Sequence, residues 1–287
     1  MNIKITLLLI LALLSVSTSP IVAKALTGVG AVSISFWRML FASMILWGYT
    51  VFKPQGRMKI PGNREKTIYA GILLGIHFAL FFQAIKITNI ANATFLGTLA
   101  PFFTLLFEIY FLKRFYDKKI ILGLLFTFIG SIIIFSYDLN IESTYTLGNI
   151  YAILCSICLA IAFMIAEKVR KNESTIVYTR TLYLSAAGTL LFIACILNEN
   201  LIQYSLNEYL GLLFLGVVPT IIGHNSIYYA VKYVSPTIVA AFPLGEPVIA
   251  TILAFFIFQE IITINIFIGG LIPLLGLILI SQYKKIK

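Results

Sequence analysis

Glu246 stands between Pro243 and Pro247, inside the apolar stretch 236–258. The two prolines are four apart, share one helical face, and each lacks a backbone donor. The helix must break there, and the freed carbonyls need protein or water to satisfy them. A carboxylate beside such a break can take an amine or a proton; the plainer reading is an acid hydrogen-bonded between helices. Arg38 follows Trp37 in a second apolar run. Its planar fork suits a carboxylate or phosphate, while structural pairing or snorkelling would also account for it. His77 and His224 lie in the middle of two more runs. His224 opens His-Asn-Ser-Ile-Tyr-Tyr, which sets His224 and Tyr228 on one face with Asn225 beside them. These rings are either hydrogen-bonded core histidines or groups that meet a substrate or relay a proton. Gln83, Asn92, Thr94 and Thr98 are secondary candidates. Glu108 is expected to pair with Lys113 or Arg114 near a membrane interface, and Arg180 to snorkel.

An ionisable group at mid-bilayer costs about 2.5–3.5 kcal/mol on insertion scales, so each needs a reason. The chain has little else that is charged. Of its 287 residues 60% are hydrophobic and 11% charged, and mean hydropathy is +0.99. Soluble domains carry about 25% charged residues. The net charge of +10 sits in short clusters between apolar runs; this is the pattern of membrane loops and excludes a nucleic-acid-binding face. Cys155, Cys158 and Cys195 all fall in apolar runs, so a secreted disulfide framework is excluded. Cys155-x-x-Cys158 is read as packing rather than as a metal or redox pair. Lys4, the apolar run after it and Ser15 to Ser19 imitate a signal peptide, but apolar character resumes after Pro20. Residues 5–25 are therefore expected to form a first span.

Runs long enough to cross ~30 Å of hydrocarbon occur at 5–25, 32–52, 67–85, 90–112, 119–137, 147–166, 177–197, 209–229, 236–258 and 264–282. With the N-terminus cytoplasmic, the inner loops and ends hold Lys4, Lys53, Arg57, Lys59, Arg64, Lys66, Lys113, Arg114, Lys118, Lys119, Lys168, Arg170, Lys171, Lys232, Lys284, Lys285 and Lys287. That is 17 of the 21 basic residues. The outer loops hold only Lys24 and Lys86. The imbalance predicts ten spans with both termini cytoplasmic in the inner membrane.

A shift of 146 residues carries Ala84-Ile85-Lys86 onto Ala230-Val231-Lys232, Pro101 onto Pro247, Gly123 onto Gly269 and Gly130 onto Gly276. The first two spans match more loosely: Arg38 falls on Arg180 at 142, Lys24 on Lys168 at 144. Five spans per copy is odd, so the second copy enters from the opposite side. The expected fold class is an all-α integral membrane protein with ten transmembrane helices in a 5+5 inverted-topology repeat. Two inverted copies of one unit give an inward-open and an outward-open state of similar energy, the requirement for alternating access. Gly71-x-x-x-Gly75 permits close helix approach.

The segment from Pro247 to Gln259-Glu260, followed by Gly269-Gly270 and Gly276, resembles the second half of EamA-type members of the drug/metabolite transporter superfamily. Leu99-Ala-Pro101 to Glu108, then Gly123 and Gly130, resembles the first half. Arg38 and His77-Phe78 also look like that family. The resemblance implies five-helix repeats over residues 1–139 and 146–284, with the fifth and tenth spans peripheral. It implies export or exchange of small metabolites, commonly amino acids or related compounds. The family often has an acid after the fourth span, where this chain has Arg114.

The expectation is a secondary transporter with a central site that draws on Arg38, Trp37, His77, Gln83, Asn92, His224, Asn225, Tyr228 and Glu246. No catalytic or metal-binding residue and no cofactor are expected. The expected partners are a small-molecule metabolite and membrane lipid, and not nucleic acid, in a monomer or homodimer. Proton coupling and facilitated exchange are equally compatible with these residues. A membrane-embedded enzyme acting on a lipid-linked substrate lacks its spacing motifs, such as H-E-x-x-H. A passive channel or scaffold accounts less well for prolines and acids within inverted copies.

Overall fold

The computed structural model describes residues 1–88, 90–136, 143–259 and 264–282, and among these every regular element is helical. We number the helical rods in chain order. They are α1 (Ile3–Val16 and Ser19–Ala25), α2 (Ala31–Phe52), α3 (Asn63–Ile87) and α4 (Ile90–Gly97 and Ala100–Leu112). Next come α5 (Lys118–Ser136), α6 (Ser143–Arg170) and α7 (Thr175–Leu197). Then α8 runs through Leu206–Leu215, Gly216–His224 and Asn225–Ala230, and α9 through Pro236–Ala241, Phe242–Gly245 and Glu246–Phe258; α10 is Ile264–Ser281. Eight of them, α1 to α4 and α6 to α9, are long and apolar enough to cross a membrane. Asp138, Glu142, Glu260, Lys284, Lys285 and Lys287 lie outside the described residues.

Four rods are interrupted, and each interruption is the work of a proline. Pro219 cannot donate to the carbonyl of Leu215. The helix widens to a π-turn over Gly216–His224, and the Thr220 hydroxyl donates to that Leu215 carbonyl at 2.8 Å. In α9 the backbone tightens to a 3₁₀ turn over Phe242–Gly245. Phe242 N–H then reaches the carbonyl of Val239, which Pro243 leaves without its usual donor, and Glu246 N–H reaches that of Pro243, left by Pro247. Pro20 breaks α1 just after a run of hydroxyls: Ser15, Ser17 and Thr18 donate to the carbonyls of Leu11, Leu13 and Ser15 at 2.8, 2.7 and 2.7 Å. Pro101 breaks α4, and Thr98 donates to the carbonyls of Thr94 and Phe95. Hydroxyls and shortened turns thus satisfy backbone that lipid could not.

Small residues bring the rods together. A Cβ on Gly71 would stand 2.6 Å from the carbonyl oxygen of Leu182, and one on Gly75 2.9 Å from that of Ala186. The Gly71-x-x-x-Gly75 stripe is therefore the face α3 lays on α7. A Cβ on Gly123 of α5 would likewise stand 2.8 Å from the carbonyl oxygen of Gly276 of α10, and one on Gly130 2.7 Å from that of Gly269. This pair runs antiparallel with no room for a side chain. Arg180 is only 7% exposed: its guanidinium lies 4.3 Å over the Trp47 ring, and Nη2 donates to the carbonyl of Gly56 in the loop between α2 and α3.

Gly123→Leu should overpack the α5–α10 contact at a cost of about 1–3 kcal/mol. The expected result is a lower unfolding midpoint in detergent; an unchanged midpoint would contradict this packing.

Candidate functional site

The proline breaks converge on one cavity. It is lined by Ser19 from α1, Arg38 from α2, His77, Phe78 and Phe81 from α3, and Thr98 from α4. The second half supplies Phe163 from α6, His224 from α8, and Pro243 and Glu246 from α9. The cavity offers about 40 Å³ to water centres, room for roughly three waters.

Arg38 is the most elaborately held group. It is 1% exposed. Nε donates to Thr220 Oγ1 at 2.7 Å and Nη1 to Ser19 Oγ at 2.8 Å, while Nη2 is buried without a partner. The plane lies 4.2 Å from the centroid of the Phe78 ring, a cation–π contact. Both hydroxyls that fix it are neighbours of a proline, Ser19-Pro20 and Pro219-Thr220. The breaks that satisfy the backbone thereby also aim the guanidinium.

Glu246 is 6% exposed, and its carboxylate accepts no hydrogen bond from the described residues. Arg38 is the positive charge that acts on it, yet the two form no ion pair within 4.0 Å. Both stay open to a third molecule between them. His77 Nδ1 lies 3.0 Å from the carbonyl of Cys155; since that oxygen only accepts, Nδ1 carries the proton and Nε2 of a neutral ring is an acceptor. His224 Nδ1 has no partner. Phe78 meets both rings edge to face, His77 at 4.8 Å and His224 at 5.4 Å between centroids.

Two stretches of the sequence, residues 3–136 and 146–282, match the EamA-like transporter family. The chain belongs to that family. Among relatives of this EamA-like chain, an uncharacterized transporter of Archaeoglobus fulgidus is 25% identical, with 88% of this chain and 87% of the relative covered. The pseudopaline exporter CntI of Pseudomonas aeruginosa is 24% identical over 92% of this chain and 91% of its own. A solved crystal structure superimposes with a TM-score of 0.82 at 16% identity, covering 98% of this chain and 97% of the other, and so shares the fold. The EamA-like chain is accordingly a multi-pass membrane transporter rather than an enzyme.

Of the residues singled out in the sequence, Arg38, His77, His224 and Glu246 meet at this cavity, with Thr98. Trp37 does not. Its Nε1 donates to the carbonyl of Leu201 at 2.7 Å and its ring packs on Phe41 and Tyr209, because adjacent helical residues point about 100° apart. Asn225 turns away from His224 for the same reason and accepts from the Tyr183 hydroxyl at 2.8 Å. Tyr228 is fully buried behind His224, against Phe163, Tyr178 and Tyr183. Gln83 is half-buried outside the cavity lining. The side chain of Asn92 lies outside the described residues. Glu108 pairs with Arg114 as expected, and it is also fully buried and accepts from Tyr116 and Thr237. Sequence reasoning missed Phe78 as the ring that joins Arg38 to both histidines, and Ser19 and Thr220 as its anchors. A hydroxyl next to a mid-span proline was the available signal for both.

Thr220→Val removes the hydroxyl that serves both Leu215 and Arg38, at an expected cost of about 1–3 kcal/mol. Adding Arg38→Met should recover part of that loss, because it removes the buried charge left short of a partner. Unfolding midpoints of the single and double variants test this; a double variant less stable than Thr220→Val would contradict it.

Proposed function

We propose that the chain is a secondary transporter that exports or exchanges a small zwitterionic metabolite, an amino acid or related compound, by alternating access. The observation that carries this is the cavity's separated pair of ionisable groups, Arg38 and Glu246, each short of a partner among the described residues. Arg38 offers a free Nη2 to a carboxylate, and Glu246 offers an unbonded carboxylate to an ammonium group. A zwitterion between them supplies both missing partners at once, which a neutral or singly charged solute cannot. Phe78, Phe81 and Phe163 give its side chain an apolar wall. The name of one relative as an exporter supports the direction.

The contact of α5 with α10 supports a 5+5 inverted repeat of ten spans, with repeats over 1–139 and 146–284. Under the 146-residue shift Gly123 becomes Gly269 and Gly130 becomes Gly276. Gly123 touches Gly276 while Gly130 touches Gly269: each glycine meets the image of the other, the reciprocity of a two-fold axis. In this reading both termini are cytoplasmic in the inner membrane, by the loop charges. The cavity is too small for an amino acid as it stands, so loading requires the halves to part, as rocking around a fixed central site would do.

In proteoliposomes a labelled amino acid panel should show saturable flux for at least one member. Glu246→Gln and Arg38→Met should each lower it at least about tenfold, the loss of one charged hydrogen bond. Saturable flux that survives both substitutions would overturn the assignment of the site. A pH gradient that drives accumulation would add proton coupling; a gradient without effect would leave exchange.

A further inference from the structure

A second cluster, built around the buried Glu108, joins the two halves of the chain. Glu108 of α4 accepts from the Arg114 guanidinium, the Tyr116 hydroxyl and the Thr237 hydroxyl, and from the Thr237 backbone N–H at 3.2 Å. Arg114 also donates through Nη2 to both oxygens of Glu167 on α6, at 2.8 and 3.0 Å. The Tyr116 hydroxyl lies 3.1 Å from Ser235 Oγ. Glu108, Arg114 and Tyr116 belong to residues 1–139; Glu167, Ser235 and Thr237 belong to 146–284. Glu108 is ten residues from cavity-lining Thr98 and Thr237 six from Pro243. At 1.5 Å per residue the cluster sits about 9–15 Å from the cavity, toward the end that carries Lys113, Lys118, Lys168 and Lys232.

The two acids and the threonine of the cluster are not repeated at the opposite end. The 146-residue shift takes Glu108 to Ala254 and Thr237 to Ala91, and the 144-residue shift takes Glu167 to Ala23. Around Ala254 the contact is apolar instead: Ile21, Ala250 and Ala254 pack together, with Leu253 and Phe258 against them. At that end the halves are also joined by Ser33, whose N–H donates to Glu199 at 2.8 Å and whose hydroxyl donates to the carbonyl of Asn200 at 2.7 Å. The bonds of the cluster to Glu167, Ser235 and Thr237 are broken only if the halves part at the basic end.

We propose that Arg114, bridging Glu108 and Glu167, is the bolt that holds a gate shut at the basic end of the unloaded transporter. This rests on the alternating-access reading, but its test needs no cargo. In a background with Cys155, Cys158 and Cys195 replaced by alanine, Thr98→Cys places a thiol in the cavity. The protein is reconstituted with its orientation fixed by a terminal tag, and a membrane-impermeant maleimide is added from either side. Labelling from the basic side should be slow in the parent. Arg114→Ala and, separately, Thr237→Val should speed it about tenfold or more, the loss of one charged hydrogen bond. Gel filtration identifies a misfolded variant, and Thr237→Val, which keeps the side-chain shape, then decides. Basic-side labelling that is already fast in the parent, or unchanged in the folded variants, would overturn the gate. Shifted labelling without flux of any solute would keep the gate and remove the transport reading instead.

Discussion

The structure depends on holding a guanidinium inside hydrocarbon without neutralising it. A full charge at that depth is tolerated only with partners, and Arg38 has two hydroxyls and an aromatic face rather than a carboxylate. Direct pairing with Glu246 would be the simplest way to stabilise both groups. It would also close the site. By keeping the charges apart, the fold leaves each with an unmet demand that a ligand can answer. That arrangement costs stability, and in the proposed transporter the cost falls at the site.

The same few residues solve the backbone problem and the charge problem. Pro219 frees the carbonyl of Leu215, Thr220 satisfies it with its hydrogen, and the same oxygen accepts from Arg38. Pro20 breaks α1 next to Ser19, which takes the second guanidinium bond. Pro243 and Pro247 tighten α9 into a 3₁₀ turn, and Glu246 begins the next helix from it. The unbroken α3 carries His77, Phe78 and Phe81 against these breaks. Broken rods thus supply the hydroxyls and Glu246, and continuous rods supply Arg38 and the aromatic wall.

Much of this was legible in the residues. Span positions follow from hydrocarbon thickness, and Arg38, His77, His224 and Glu246 stand out because an ionisable side chain in an apolar run is costly. Facing was harder to read. Trp37 and Asn225 are each one residue from a cavity-lining group, and one step of a helix rotates a side chain to another neighbour. Tyr228 shares the face of His224 but lies a turn further along, behind it. Ser19 and Thr220 carry no charge, and their role appears only when α1, α2 and α8 come together. The partners of Glu108 are up to 129 residues away in sequence, so its burial could not be read from Lys113 and Arg114 beside it.

The central claim is that one site is exposed alternately, with charges waiting for a zwitterion. Counterflow tests it most directly. Proteoliposomes preloaded with an unlabelled transported amino acid, diluted into a trace of the same compound in labelled form, should accumulate label transiently above its equilibrium level. A carrier gives that overshoot because the loaded site must return with cargo from one side to the other. Label that rises only to equilibrium, at a rate indifferent to the internal pool, would mean an open pore and contradict the account.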